Sequence, residues 1–403
     1  MSAETEAQRT AVPAVTRPRV AFYTRESIET GHAWSGTTRF MAESLERHLG
    51  PVEPKAAVPD FAVRANRLAG RVLTKLMGRN PLEGAWDPLR ALSHLAARFA
   101  YRSAADRPDV CFMPVAAGLV PQMPRDLPVV YLSDGTVRCI FAYYRGAGNV
   151  PASLERLGER DESAAIARAN LLIYPSEWAA RSAREDYGAD PAKIRVVPFG
   201  SNLAALPDLG ARAPREEDGT LRLVLVSNDW QRKGGQVALD AVAALRARGI
   251  DARLTVVGAN MPAEVAGPGI EVTGFVDKRT AEGQARFDRL MLGADIFFLP
   301  VSADAFGIVF TEAAAYGLPS VTTVTGGLQS LVLEGETGLL LPEGAPAEAY
   351  ADALMALHAD PVRRAAMGRA ARERAESVLN WDAWGRSVAG AVRGMLAARD
   401  GGG

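Results

Sequence analysis

Two cysteines in 403 residues, Cys111 and Cys139, give this chain neither a disulfide framework nor a thiolate metal cluster. Both stand in apolar surroundings and read as reduced core residues. Excess charge of one sign is also missing: 46 Lys and Arg face 47 Asp and Glu, so no overall field recruits nucleic acid. No segment approaches the roughly 18 uncharged apolar residues of a membrane span. Histidine is scarce, and His32 and His48 lack a second histidine or acid at ligand spacing. The opening M-S-A-E-T-E-A-Q-R-T is polar with no apolar core behind it, so no signal peptide is expected. The expected location is cytoplasmic, with the inner face of the membrane left open.

What the chain does contain is a globular balance, 48% apolar and 23% charged, over a length that supports two or three domains. Short apolar runs alternate with segments of helical spacing. After a loose tail at 1–17, a strand within 18–24 leads through a Gly31–Gly36 loop to a helix at 38–49. Largely helical sequence fills 60–108. There Phe61, Leu68, Val72 and Leu76 mark one face and Arg64, Arg67, Arg71 and Lys75 another. A solvated basic face over a packed apolar one is the plainer reading of that pattern, and an anionic lipid or acceptor surface the other. Strands follow near 110–113, 129–132, 171–175 and 194–198. Residues 207–220, P-D-L-G-A-R-A-P-R-E-E-D-G-T, read as a linker. A second alternating unit then runs from 221 to 380. Strands interleaved with helices predict parallel sheets covered on both faces. The expectation is therefore α/β: two doubly wound Rossmann-like domains, 18–206 and 221–380, facing across a cleft. The helix at 381–397 returns to the first domain, and 398–403 form a tail.

Chemistry-bearing loops follow strands. After V-L-V comes S-N-D-W-Q-R-K-G-G, in which Arg232 offers a planar fork of donors and Lys233 a mobile point charge, a pair suited to a diphosphate. It is no Walker A loop, because the final Lys-Ser/Thr is missing. After F-F-L-P comes V-S-A-D-A-F-G-I-V-F-T-E, with acids at Asp304 and Glu312. If Gly307 opens a helix, the backbone N–H groups of Gly307, Ile308 and Val309 face phosphate oxygens. Glu312, one turn further in, would accept from neighbouring ribose hydroxyls; alternatively it is an early-helix glutamate favoured by the dipole. The glycines at 326–327 and 338 read as tight turns, with pocket floor the alternative for the first pair.

These residues resemble the family 4 glycosyltransferases of the GT-B class over roughly 18–397, most strongly over 221–340. The resemblance implies a retaining transfer from a nucleoside diphosphate sugar, UDP- or GDP-linked, to a carbohydrate or lipid-linked acceptor. It implies that Arg232 and Lys233 contact the diphosphate, that Asp304 touches sugar hydroxyls and that Phe306 to Val309 lie near sugar and phosphate. Glu312 then holds the ribose, while Trp34, Ser35 and Gly36 approach from the other domain. The chain departs from the family pattern at three places. Its first E-x7-E acid is Asp304, Ser227-Asn228 stand where an arginine is common, and Asp134 replaces a frequent histidine and is expected to orient the acceptor or steady developing positive charge. No D-x-D pair follows a strand, so neither metal nor prosthetic group is expected. A nucleotide-sugar epimerase and a catalytically weak sugar-nucleotide-binding subunit are the competing readings.

Overall fold

The computed structural model describes residues 17–25, 33–77, 88–101, 107–144, 152–211, 219–258, 265 and 267–401. The first sheet contains β1 (Val20–Thr24), β2 (Val52–Ala56), β3 (Val110–Pro114), β4 (Val129–Leu132), β5 (Leu171–Tyr174) and β6 (Ile194–Val196). Its order is β2-β1-β3-β4-β5-β6, parallel throughout. The second holds β7 (Leu221–Val226), β8 (Ala252–Val257), β9 (Ile270–Gly274), β10 (Ile296–Leu299), β11 (Ser320–Thr323) and β12 (Gly338–Leu341), in the order β12-β11-β10-β7-β8-β9.

Runs such as V-A-F-Y-T and I-F-F-L are buried along their whole length, as strands sandwiched between helices must be. Two strands escaped the sequence reading, and both are edges. In β2, V-E-P-K-A, Pro54 donates nothing to a ladder and Glu53 is exposed, which only an edge tolerates.

Strand order reverses beside β7. The chain steps outward through β8 and β9, then returns to place β10 on the other side of β7. The loops leaving β7 and β10 therefore diverge and leave a crevice at the carboxyl ends. The analogous reversal in the first sheet lies between β1 and β3.

Helix α1 (Thr37–His48) packs against α12 (Trp381–Asp400), the returning helix. Ser44 Oγ donates to the Trp381 carbonyl, and Arg393 reaches the His48 carbonyl at 2.5 Å. His48 is half-buried, with Nε2 2.9 Å from Asp382 Oδ1, because α12 lies over it. The buried Trp384 meets Phe112 of β3 edge-on at 6.0 Å. The chain thus crosses between lobes twice. At the crossing, a Cβ on Gly200 would stand 2.3 Å from Trp381 N, and the Ser201 N–H donates to the Leu379 carbonyl at 3.1 Å. Only glycine allows the two strands of chain that close.

In α2 (Asp60–Met77) and α3 (Pro88–Phe99) the plainer reading of the pattern fails. Val63 of α2 and Leu89 of α3 pack with Val58, whereas Phe61, Leu68 and Val72 point to solvent. Among the described side chains, Val63 and Gly70 make the buried side of α2, while Phe61, Leu68 and Val72 stand outside. Leu76 and Arg67 side chains lie outside the described residues. No described helix is long and apolar enough to cross a membrane.

Candidate functional site

The turn after β7 is built on its own polar groups. Asp229 N–H donates to Ser227 Oγ, and the Arg232 N–H donates to Asp229 Oδ1. Arg232, expected to face a diphosphate, also binds inward. Its Nε meets Asp229 Oδ2 at 2.8 Å, its Nη1 reaches the Ala303 carbonyl at 2.9 Å, and its guanidinium lies 5.5 Å from the Tyr144 ring centre. The Ser302 N–H in turn donates to the Arg232 carbonyl at 2.9 Å. Arg232 therefore splints the β7 loop to the β10 loop while keeping an edge in the cleft wall.

Lys233, one residue on, crosses that crevice. Its Nζ is paired with Asp304 Oδ2, and both side chains are only 12% exposed. Gly307 caps α9 (Ile308–Ala315) at φ 85°, in the left-handed region where a Cβ would also stand 2.5 Å from Leu328 Cδ2. That turn aims the first N–H groups of α9 at the crevice. Glu312, buried one turn into α9, pairs with Lys278 Nζ at 2.5 Å.

Sequence reading missed Lys278. It belongs to F-V-D-K-R after β9, ahead of α8 (Ala281–Leu292), and its ammonium sits 4.8 Å from the Phe287 ring centre. A short basic–acidic cluster after a strand was the available signal. In the same loop Asp277 is held by Arg279, Nε to Oδ1 and Nη2 to Oδ2 both at 2.8 Å.

The first lobe supplies aromatic rings and an acid. Trp34 lies in the Ala33–Gly36 turn with φ 51°, and its Nε1 donates to Asp134 Oδ2 at 3.2 Å. Burial pushes the Asp134 carboxyl up to about 6; the indole hydrogen bond opposes this and the Asp304 charge adds to it. Phe199 at the lobe crossing meets Trp34 at 5.3 Å and Phe306 at 4.8 Å, both edge-on, so three rings bridge the lobes. Helix α4 (Val137–Tyr144) adds a second bridge that the sequence reading did not contain. Tyr143 Oη accepts from the Asp304 N–H and Tyr144 Oη from the Ala305 N–H, each at 2.9 Å. Tyr143 Oη is also 2.5 Å from Thr325 Oγ1, which donates to Glu343 at 2.6 Å. The Gly327 N–H donates to the Ala305 carbonyl at 3.1 Å, so the glycine turn at 326–327 props the Asp304 loop rather than flooring the pocket.

Trp34, Asp134, Arg232, Lys233, Asp304, Phe306, Gly307, Ile308, Val309 and Glu312 thus border one cleft of about 550 Å³ between the sheets. Lys278, Val276 and Phe287 close its far end. Gly36 is outside that wall and caps α1 at φ 82°. The Ser35 side chain, Gly31 and His32 lie outside the described residues.

A second acid lies deeper in the first lobe. Glu162 of α5 (Ala152–Arg168) is buried and accepts from Tyr131 Oη at 2.8 Å, while its Oε1 has no hydrogen-bond partner. Burial pushes it up to about 8; the Tyr131 hydrogen bond opposes that shift, and the Glu159, Asp134 and Asp161 charges add to it.

Residues 220–360 match the family described as Glycosyl transferases group 1, and residues 56–205 the Glycosyltransferase Family 4. A D-inositol 3-phosphate glycosyltransferase of Pseudarthrobacter chlorophenolicus is 36% identical over 228 residues, 53% of this chain and 52% of that protein. Its counterpart in Corynebacterium glutamicum is 31% identical over 289 residues, 66% of this chain and 67% of that one. The chain thus spans about half the length of the first of these relatives. Among solved structures, sucrose-phosphate synthase from Thermosynechococcus elongatus superposes with a TM-score of 0.67 at 19% identity, covering 95% of this chain and 100% of that one. Anabaena HepE, solved with UDP and glucose, gives 0.60 at 17% identity, covering 93% and 99%. At these identities the likeness speaks for the GT-B fold.

Proposed function

Because the chain belongs to the family 4 glycosyltransferases of the GT-B class, we propose that it moves a hexose-type sugar from a nucleoside diphosphate sugar to an acceptor hydroxyl, with retention of configuration. The observation that carries this reading is the meeting of Lys233, Asp304, the amino end of α9 and Glu312 around one cleft between two parallel sheets. A diphosphate laid along the α9 amino end competes with Asp304 for Lys233. Released from the ammonium, Asp304 accepts from sugar hydroxyls, and Glu312 does the same for the ribose beside Lys278. Each buried charge then exchanges one partner for another and none is left bare, which would cost several kcal/mol.

As the glycosidic bond breaks, charge gathers on the leaving diphosphate, where Lys233 and the α9 N–H groups stabilise it. Arg232 acts mainly by holding the Lys233 turn against the Asp304 loop. The acceptor hydroxyl attacks from the same face, and a leaving phosphate oxygen takes its proton, so no enzymic nucleophile is required. Asp134, across the cleft beside Trp34, orients that hydroxyl. The donor base is uracil or guanine, the acceptor a carbohydrate, a polyol phosphate or a lipid-linked glycan, and the reaction proceeds without metal at the cytoplasmic side.

The test is product analysis by mass spectrometry with UDP- and GDP-sugars, with and without chelator, over an acceptor panel. The expected result is free nucleoside diphosphate plus a glycosylated acceptor with retained configuration. Epimerised donor with no acceptor consumed, or tight donor binding without turnover across the panel, overturns the reading.

A further inference from the structure

We propose that the outward faces of α2 and α3 dock this protein onto the surface of an anionic lipid bilayer. Half of the large apolar side chains exposed among the described residues lie on these two helices: Phe61, Leu68 and Val72 on α2, and Leu92, Leu95 and Phe99 on α3, each between 42% and 76% exposed. At 100° per residue Phe61, Leu68 and Val72 fall within about 40° of one another. The buried Val63 and Gly70 lie on the opposite side of α2. Among its described side chains, α2 therefore seats Val63 and Gly70 against the lobe and turns Phe61, Leu68 and Val72 outward. That is the reverse of an ordinary surface helix, whose apolar stripe faces the core.

Charge selects the occupant. Exposed Arg64, Arg71 and Lys75 flank the α2 stripe, and Arg98 flanks that of α3. Asp60, at the start of α2, is the one acid in either helix, against six basic residues, in a chain whose formal net charge is −1. Among the described side chains, Arg90 is neutralised inside the lobe, by a two-pronged pair with Asp161 at 2.9 Å. Apolar residues bordered by cations match the boundary between acyl chains and anionic headgroups. A protein partner presenting a plain hydrophobic groove would not call for the cations. The proposal does not depend on the transferase reading, because lipid binding is measured without turnover.

Co-flotation of the full chain with vesicles of phosphatidylcholine alone, or with phosphatidylglycerol added, tests it. The expected result is partition onto phosphatidylglycerol vesicles that weakens with salt. Each charge removed from Arg64, Arg71 and Lys75 should lower partition about fivefold, the equivalent of about 1 kcal/mol per basic residue near an anionic surface. Phe61→Ser/Leu68→Ser/Val72→Ser, all at solvent-facing positions, should lower it at least tenfold while leaving thermal unfolding unchanged. Phe61→Trp should give a blue-shifted emission quenched by brominated acyl chains. No partition onto anionic vesicles, or partition indifferent to the serine substitutions, overturns the proposal. So does a dimer of the parent chain that those substitutions turn into a monomer, which would assign the face to a second copy.

Discussion

Two pairs of acids, one pair in each lobe, are held in opposite ways. In the second lobe Asp304 and Glu312 each pair with a lysine brought in by another loop. In the first, Asp134 and Glu162 receive hydrogen bonds from neutral donors, the Trp34 indole and the Tyr131 hydroxyl, and burial raises both. A carboxylate paired with a cation is ready to trade that cation for a hydroxyl when a phosphate claims it. An acid held by neutral donors instead responds to pH. On the function proposed above, the donor side of the cleft is organised for exchange of partners and the acceptor side for titration.

The sharpest way to break this contrast is Lys233→Ala. It removes the cation on which the exchange turns and should lower kcat about 100-fold, the order seen on losing one transition-state donor. Steady-state kinetics with unchanged kcat would take Lys233 out of that role. Next comes Asp134→Asn. If the ionised carboxylate orients the acceptor, activity should rise with pH through a limb near 6, and the variant should flatten it. A limb that survives the substitution belongs to another group.

Glu162→Gln addresses stability rather than turnover. Its folded value near 8 lies above the ordinary 4.5, so between those values the folded chain keeps a proton that the unfolded chain has lost. Stability from this group is complete below the unfolded value and declines as pH rises toward 8, by at most about 1.4 kcal/mol per pH unit. Thermal unfolding between pH 6 and 8 should show a shallower decline in the glutamine variant. The smallest effect is expected for Tyr144→Phe, which deprives the Ala305 N–H of its acceptor at a cost of about 1 kcal/mol. Activity should fall severalfold through kcat more than through donor KM. An equal change in both would assign Tyr144 to donor binding.

The second lobe was the more legible in the sequence. Its loops leave buried apolar runs abruptly, at Ser227 and Pro300, and carry charge and glycine where a ligand would lie, so Lys233, Asp304, Gly307 and Glu312 were found together. The partners of those residues were not. Lys278 is distant in sequence from Glu312, and nothing periodic connects them. Tyr143 and Tyr144 end an eight-residue helix whose composition reads as plain core. The direction of the α2 face was missed because hydrophobic spacing reports that a stripe exists and not which side of it meets the protein.

The close passage of Gly200 beneath Trp381 has a mechanical consequence. Two covalent tethers lying side by side act as the pin of a door: the halves can swing about that line but can neither slide apart nor twist freely. Any such swing must part the hydrogen bonds that Tyr143 and Tyr144 accept from the Asp304 loop of the other lobe.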